Sequence, residues 1–426
     1  MLGGEGFLIS PFKNITQKNA IPVLDGVRAV ACLSVISYHV HYFLAHDYDL
    51  SAVLGKFATA IAMAGWSGVT LFFVLSGFLL FQPFAKALLF EKPRPSMRTF
   101  YMRRALRILP GYYVALLLLI VLKQPAYLQP AHWKETLLFL TFFMDSTSAT
   151  YQQINGPFWT LAVEWQFYLL LPLFALGFAW VVKRGTSSQR RWWLLVGCLL
   201  AMIAWGVGTR FIGQYYTLHP GETFLVPRSF LNIILMLVYG TSGKYLEDFA
   251  VGMLISTCYV LARDAVDGQT IRLYLTRYSP WLWRAGILWL CLMMTWYLFP
   301  SLSILYPLFG SGNWMVELGY ALGFGLCVTA LLFGPAGLKG WFEWKPLCWI
   351  GTISYSLYIW HLPILLIFRG MIEHYVEDWS FKYVYSLNAL CVLLLIIPFS
   401  FIFYCLIEHP WIQIAHKSRK AEKATG

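Results

Sequence analysis

Apolar residues come in long runs along this chain, and polar residues collect between them. Runs of about 17–25 apolar residues are long enough to cross a bilayer as helix. Such runs fall near 27–45, 58–82, 106–122, 158–182, 192–212, 246–262, 282–298, 315–333, 347–368 and 384–407. The pattern predicts an all-α polytopic membrane protein of about ten transmembrane helices. Residues 135–144 are apolar but too short to span, which predicts a re-entrant or interfacial helix. Residues 213–240 are expected to form an outer cap where an acceptor is recognised.

Composition supports that reading. Hydrophobic residues make up 59% of the 426 and charged residues only 12%, where a soluble protein carries roughly 25% charged. The +12 net charge is uneven. Lys and Arg crowd residues 86–107, 183–191, 263–284 and 339–345, while the alternate connections hold few. By the positive-inside rule this places both termini in the cytoplasm. The charge is then a topological signal rather than a nucleic-acid footprint. Residues 1–20 lack an apolar core and are expected to form a cytoplasmic segment, 21–410 one transmembrane domain, and 411–426 a basic cytoplasmic tail. The eight Cys follow no metal-type spacing, so they are assigned to packing, and no metal is expected.

Polar exceptions inside the apolar runs are the candidates for chemistry, because ionisable groups at membrane depth normally mark a site or a pathway. In the first run Arg28 and His39 lie eleven positions apart. At helical periodicity both fall on one face, separated by about 16 Å along the axis. An imidazole suits general-base work at neutral pH, though a snorkelling Arg and a structurally satisfied His are the plainer alternatives. Asp25 flanks the pair. Arg103, Arg104 and Arg107 open the third run. Arg104 and Arg107 share a helix face, and guanidinium groups suit bidentate phosphate contact; positive-inside bias is the alternative. Glu164 and Gln166 lie within the fourth run among Trp159, Trp165, Phe167 and Tyr168, and His361 lies mid-run near Tyr355. These are candidates for catalysis or acceptor binding, or for hydrogen bonds between helices. Small residues Gly65, Ser67, Gly68, Ser76 and Gly77 should permit close helix approach.

Together these segments resemble the acyltransferase-3 family of integral-membrane O-acyltransferases. The resemblance rests on LDGVRAVACLSVISYH, GVTLFFVLSGFLL, RRALRILP, WTLAVEWQFYLLLP and ISYSLYIWH, in the family's order, and spans about residues 21–410. Position 165 is Trp where many members repeat the acidic residue, which leaves Glu164 alone for carboxylate work. The resemblance implies a bacterial cytoplasmic-membrane enzyme that moves an acyl group, commonly acetyl from acetyl-CoA, onto a hydroxyl of a saccharide or related acceptor. It implies His39 as catalytic residue, with Arg28 and the Arg104–Arg107 pair on the donor. The full expectation is a central donor tunnel. Arg28, Arg103, Arg104 and Arg107 would hold the CoA phosphates at its cytoplasmic mouth, and His39 would act as base. Glu164 would orient His39 or bind the acceptor, and Asp25, Trp159, Gln166, Tyr355 and His361 would meet the acceptor. Partners would be acyl-CoA, a hydroxyl-bearing acceptor and the lipid bilayer, without nucleic acid. From a different class, a proton-coupled transporter or flippase would also use intramembrane His and Glu. A degenerate sensor is a third possibility.

Overall fold

The first helix starts where its sequence tells it to. Ile21 is extended, Pro22 takes the first helical position, and Asp25 sits in the first turn, which suits the positive end of the helix dipole. This helix, α1 (Pro22–Asp47), is followed by α2 (Lys56–Phe90) and α3 (Met97–Lys123). Next come a short α4 (Trp133–Leu140), α5 (Phe158–Val182), α6 (Ser188–Leu218), α7 (Arg228–Val238), α8 (Leu246–Asp264) and α9 (Gly268–Leu298). The chain closes with α10 (Val316–Phe333), α11 (Ser354–Val376) and α12 (Phe381–Ala415). The structure is a computed structural model that describes residues 21–265, 268–299, 303–304, 306, 313–376 and 378–415. The expected N-terminal segment 1–20, and the tail beyond residue 415, lie outside the described residues.

Among the described residues there is no strand, and eight helices are long and apolar enough to cross a membrane. The protein is therefore an all-α polytopic membrane protein. Helices α8 and α9 occupy the two remaining predicted runs, with 19 and 31 residues. Large apolar side chains remain exposed along the flanks, including Leu122, Leu173 and Trp180, as a lipid-facing surface requires.

A close seam joins α2 to α8. A Cβ built on Gly77 would fall 2.1 Å from the Phe249 carbonyl oxygen, and one on Gly252 would fall 2.0 Å from that of Val74. Only hydrogen fits at either place, so the two backbones are in contact from both sides. Beside the seam, Phe167 of α5 stacks on Phe249 with centroids 3.8 Å apart. This seam holds Ser76 and Thr70 of α2 against neighbouring carboxylates.

The apolar segment near 135–144 forms the eight-residue α4, which is too short to cross. Its last carbonyls, orphaned by the helix end, accept from α3: Tyr112 and Tyr113 donate to Phe139 and Leu140, each at 2.8 Å. The expected outer cap is corrected in part. Helix α6 runs unbroken to Leu218, and α7 buries only Leu231 among its residues.

Candidate active site

The N-terminal ends of α1 and α3 define a basic end of the bundle. The opposite end carries the connection 141–157, and His39 faces it. A cavity of about 530 Å³ opens there, lined by His39, Tyr38, Trp66, Trp159, Tyr245 and Tyr358 among others. Small-molecule sites span roughly 300–1,000 Å³. Its wall at residues 152–157 is pinned in place: Asn155 Nδ2 donates to the Ile359 carbonyl at 2.9 Å, and Gln124 donates to the Gln153 carbonyl at 2.8 Å. No residue of 213–240 lines this cavity, so the connection before α5, not the expected cap, forms its wall.

Two histidines meet at the cavity. His361, fully buried, places Nε2 3.2 Å from Nδ1 of His39. His39 Nδ1 also lies 2.9 Å from the Val35 carbonyl, and His361 Nδ1 lies 2.8 Å from that of Tyr358. A carbonyl can only accept, so each Nδ1 carries the proton. His361 Nε2 is then an acceptor for His39, and the Nε2 of His39 is left with its lone pair. That nitrogen makes no hydrogen bond among the described residues. The pair of helices thus fixes both the tautomer and the tilt of the His39 ring.

At the basic end Arg28, Arg104 and Arg107 come together closely enough for their charges to repel. Arg28 is paired with Asp25 at 2.8 Å. Neither Arg104 nor Arg107 forms an ion pair among the described residues, and Arg104 Nε is buried without a hydrogen-bond partner. Two carboxylates stand near, each with one oxygen engaged. Ser76 donates to one oxygen of Glu164 at 2.6 Å, Tyr168 donates to the same oxygen, and Ser356 donates to one oxygen of Glu408. Neither carboxylate is hydrogen-bonded to Arg104 or Arg107 among the described residues, so guanidinium donors remain open to a ligand. An anionic ligand with several oxygens fits that arrangement.

The other expected residues divide between these two places and the scaffold. Trp159 lines the cavity with His39. Glu164 does not orient His39; it lies within charge range of Arg104, and the Val35 carbonyl and His361 hold the imidazole instead. Asp25, held by Arg28, belongs to the basic end and is absent from the cavity lining. Gln166 donates to the Phe142 carbonyl at 2.7 Å and to Asp145 at 2.8 Å, tethering the 141–157 connection. Tyr355 donates to the Ile108 carbonyl at 2.7 Å, bracing α11 on α3. Arg103 sits at the entry of α3 and, like the other three arginines, does not line the cavity.

The stripe from Arg28 to His39 is not open along its length. Cys32 and Val35 lie between them on the same face of α1, and both are buried. Cys32 packs its thiol 3.6 Å from the Ser354 carbonyl of α11. The basic cluster and the His39 cavity lie on one helix face with buried side chains between them.

One cluster escaped the sequence. Arg210, 4% exposed, donates to Glu247 at 2.8 Å and to the Ser242 carbonyl at 2.7 Å, and its guanidinium stacks over Tyr245 at 4.4 Å. Glu317 lies 4.0 Å from Arg210 and accepts from Thr70 at 3.1 Å. Next to it, Lys244 is salt-bridged to Asp145. The partners come from α2, α6, α8 and α10, so no local motif announces them.

Comparison with known proteins identifies the family. The acyltransferase-3 family model, described as an acyltransferase domain, matches residues 21–405. A peptidoglycan O-acetyltransferase OatA of Listeria monocytogenes is 24% identical over 381 residues, covering 84% of this chain and 51% of that protein. A putative peptidoglycan O-acetyltransferase YrhL of Bacillus subtilis is 25% identical over 360 residues, covering 82% and 49%. An O-acetyltransferase OatA of Staphylococcus aureus is 24% identical over 391 residues, covering 88% and 55%. The chain spans about half the length of these curated relatives. No solved structure matches it. With a family match running from α1 into α12, and eight helices among the described residues long and apolar enough to cross a membrane, the chain belongs to the acyltransferase-3 family and is a multi-pass membrane protein.

Proposed function

We propose that this chain is a membrane O-acyltransferase that moves an acetyl group from cytoplasmic acetyl-CoA to a saccharide hydroxyl, with peptidoglycan as the acceptor in analogy with its relatives. The observation that carries the reading is His39: an imidazole lining an aromatic cavity, its Nδ1 proton held by Val35 and His361 and its Nε2 lone pair uncommitted. Arg104 and Arg107, with Arg28 beside them, would hold the CoA phosphates through charge-assisted hydrogen bonds. The buried, unpartnered Nε of Arg104 supports that assignment.

In this reading His39 Nε2 takes the proton of the acceptor hydroxyl as its oxygen attacks the thioester carbonyl. The C–S bond then breaks, the sulfur leaves with the electron pair, and the imidazolium returns the proton to it. The contact with His361 keeps the ring in the one tautomer that can start this cycle. An acyl-imidazole route would use the same nitrogen as nucleophile. The test is transfer of labelled acetyl from acetyl-CoA to a chitin oligosaccharide by the purified chain. His39→Ala should remove transfer by roughly 10²–10⁴-fold in a variant that elutes as the parent does. Near-parental turnover would take His39 out of the mechanism.

The buried His39–His361 contact and the acidic cluster around Arg210 also support a second reading, a proton-coupled transporter or flippase. Proton-driven saccharide movement in proteoliposomes, without acetyl transfer, would favour it.

A further inference from the structure

The cavity that His39 lines has a second charged wall. Of its lining residues only Lys123 and Glu317 carry a fixed charge, and Glu317 is the one acid. A carboxylate at this depth needs compensation, and its neighbours give it little. Arg210 is committed elsewhere. Its Nε and one terminal nitrogen lie 2.8 and 2.7 Å from Glu247, and its other terminal nitrogen donates to the Ser242 carbonyl. That leaves the 4.0 Å approach to Glu317 as the weak leg of the network. Thr70 supplies one hydrogen bond, at 3.1 Å. A carboxylate accepts about four, so Glu317 keeps spare acceptor capacity where it meets the cavity. The polar network behind it, Glu247 and Arg210, is buried and fixed, so the carboxylate is held rather than drifting.

The rest of the lining matches one kind of ligand. Trp66 and Trp159, both only partly buried, offer flat apolar faces, and aromatic rings of this kind combine an apolar body with polar edges. Flat faces together with a hydrogen-bond acceptor suit a neutral pyranose, which has C–H faces and a rim of O–H donors. We propose that Glu317 is the acceptor-recognition residue of the cavity, binding two hydroxyls of a saccharide while Trp66 and Trp159 pack on its ring. The assignment rests on the acyltransferase reading for what happens next, but the binding itself does not need the donor. Its consequence is specificity: a polyol with adjacent hydroxyls is retained, and a simple alcohol or a deoxy analogue is not.

The experiment separates binding from turnover. Tryptophan fluorescence of the purified chain, in which Trp66 and Trp159 line the cavity, is titrated with triacetylchitotriose in the absence of acetyl-CoA. Saturable quenching is expected in the parent, with Kd raised at least tenfold in Glu317→Gln. Glu317→Asp keeps the charge facing Arg210 but draws the carboxylate back from the cavity, and should weaken binding at least threefold. It decides the matter if the Gln variant fails to fold. Equal Kd in the parent and in the folded variants, or no binding by the parent, would overturn the proposal. Acetyl transfer is measured separately on the same preparations. Binding lost in the variants by a parent that transfers no acetyl would keep the saccharide site and remove the enzymatic reading. Parental Kd in variants of an active enzyme would do the reverse.

Discussion

His361 Nε2 lies 3.2 Å from His39 Nδ1, joining α11 to α1 across 322 positions of sequence. The contact lets one histidine set the proton of the other. With His361 Nδ1 committed to the Tyr358 carbonyl, its Nε2 can only accept, and His39 must present its own lone pair elsewhere.

His361→Phe therefore removes an acceptor without touching the base. Loss of a buried hydrogen bond costs about 1–3 kcal/mol, or roughly a 5–150-fold fall in kcat, with the KM for acetyl-CoA unchanged. His361→Gln, which keeps an acceptor in reach, should recover part of the rate. Steady-state kinetics with labelled acetyl-CoA checks the split; a Phe variant with parental kcat would show that the contact does not position the base.

The double replacement Arg104→Ala, Arg107→Ala acts at the basic cluster. Charge-assisted hydrogen bonds contribute about 1.5–3 kcal/mol each, so the KM for acetyl-CoA should rise by roughly tenfold or more for each arginine in contact. Saccharide affinity, read by tryptophan fluorescence, should stay the same. An unchanged donor KM would leave these residues to topology alone.

Gln166→Met releases the tether on the 141–157 connection. Asp145 keeps Lys244 but loses the amide, at a cost of about 1–2 kcal/mol. The variant should melt at a lower temperature and be cleaved faster by protease within 141–157, while its KM for acetyl-CoA remains parental. Direct loss of saccharide affinity with parental stability would instead place Gln166 at the acceptor.

Gly77→Ala tests the α2–α8 seam. The added methyl group would have to displace the Phe249 backbone, 2.1 Å away, and overpacking of this kind costs about 1–3 kcal/mol. A lower melting temperature in detergent is expected, with a larger fall when Gly252→Ala is added. Parental melting would mean the seam can part without penalty.

The helices were legible because membrane-crossing segments must be apolar over their length: nine of the ten predicted runs fall on single long helices among the described residues, and the run at 347–368 starts in a separate short helix, Lys345–Thr352, before entering α11. The stripe of Arg28 and His39 was legible for a related reason: helical periodicity is local, so eleven positions fix a shared face. What periodicity does not carry is the partner. Arg210 reads as one basic residue of an outer connection, yet it is buried, because Glu247 reaches it from another helix and Glu317 approaches from a third. Gln166 reads as an acceptor ligand by its neighbourhood of aromatic residues, but its amide is spent on Phe142 and Asp145. In both cases compensation comes from residues far off in sequence, and no local pattern records it.

The thiol of Cys32, buried against the Ser354 carbonyl, forms a septum between the arginine cluster and His39. Under the proposed donor, a pantetheine arm reaching from one to the other would have to part α1 from α11 at that level. The same two helices hold the His39–His361 contact one to two turns further on. Arrival of the thioester and alignment of the base would then be one motion, and the closed septum would keep water on the saccharide side from reaching the activated acyl group before its acceptor is seated.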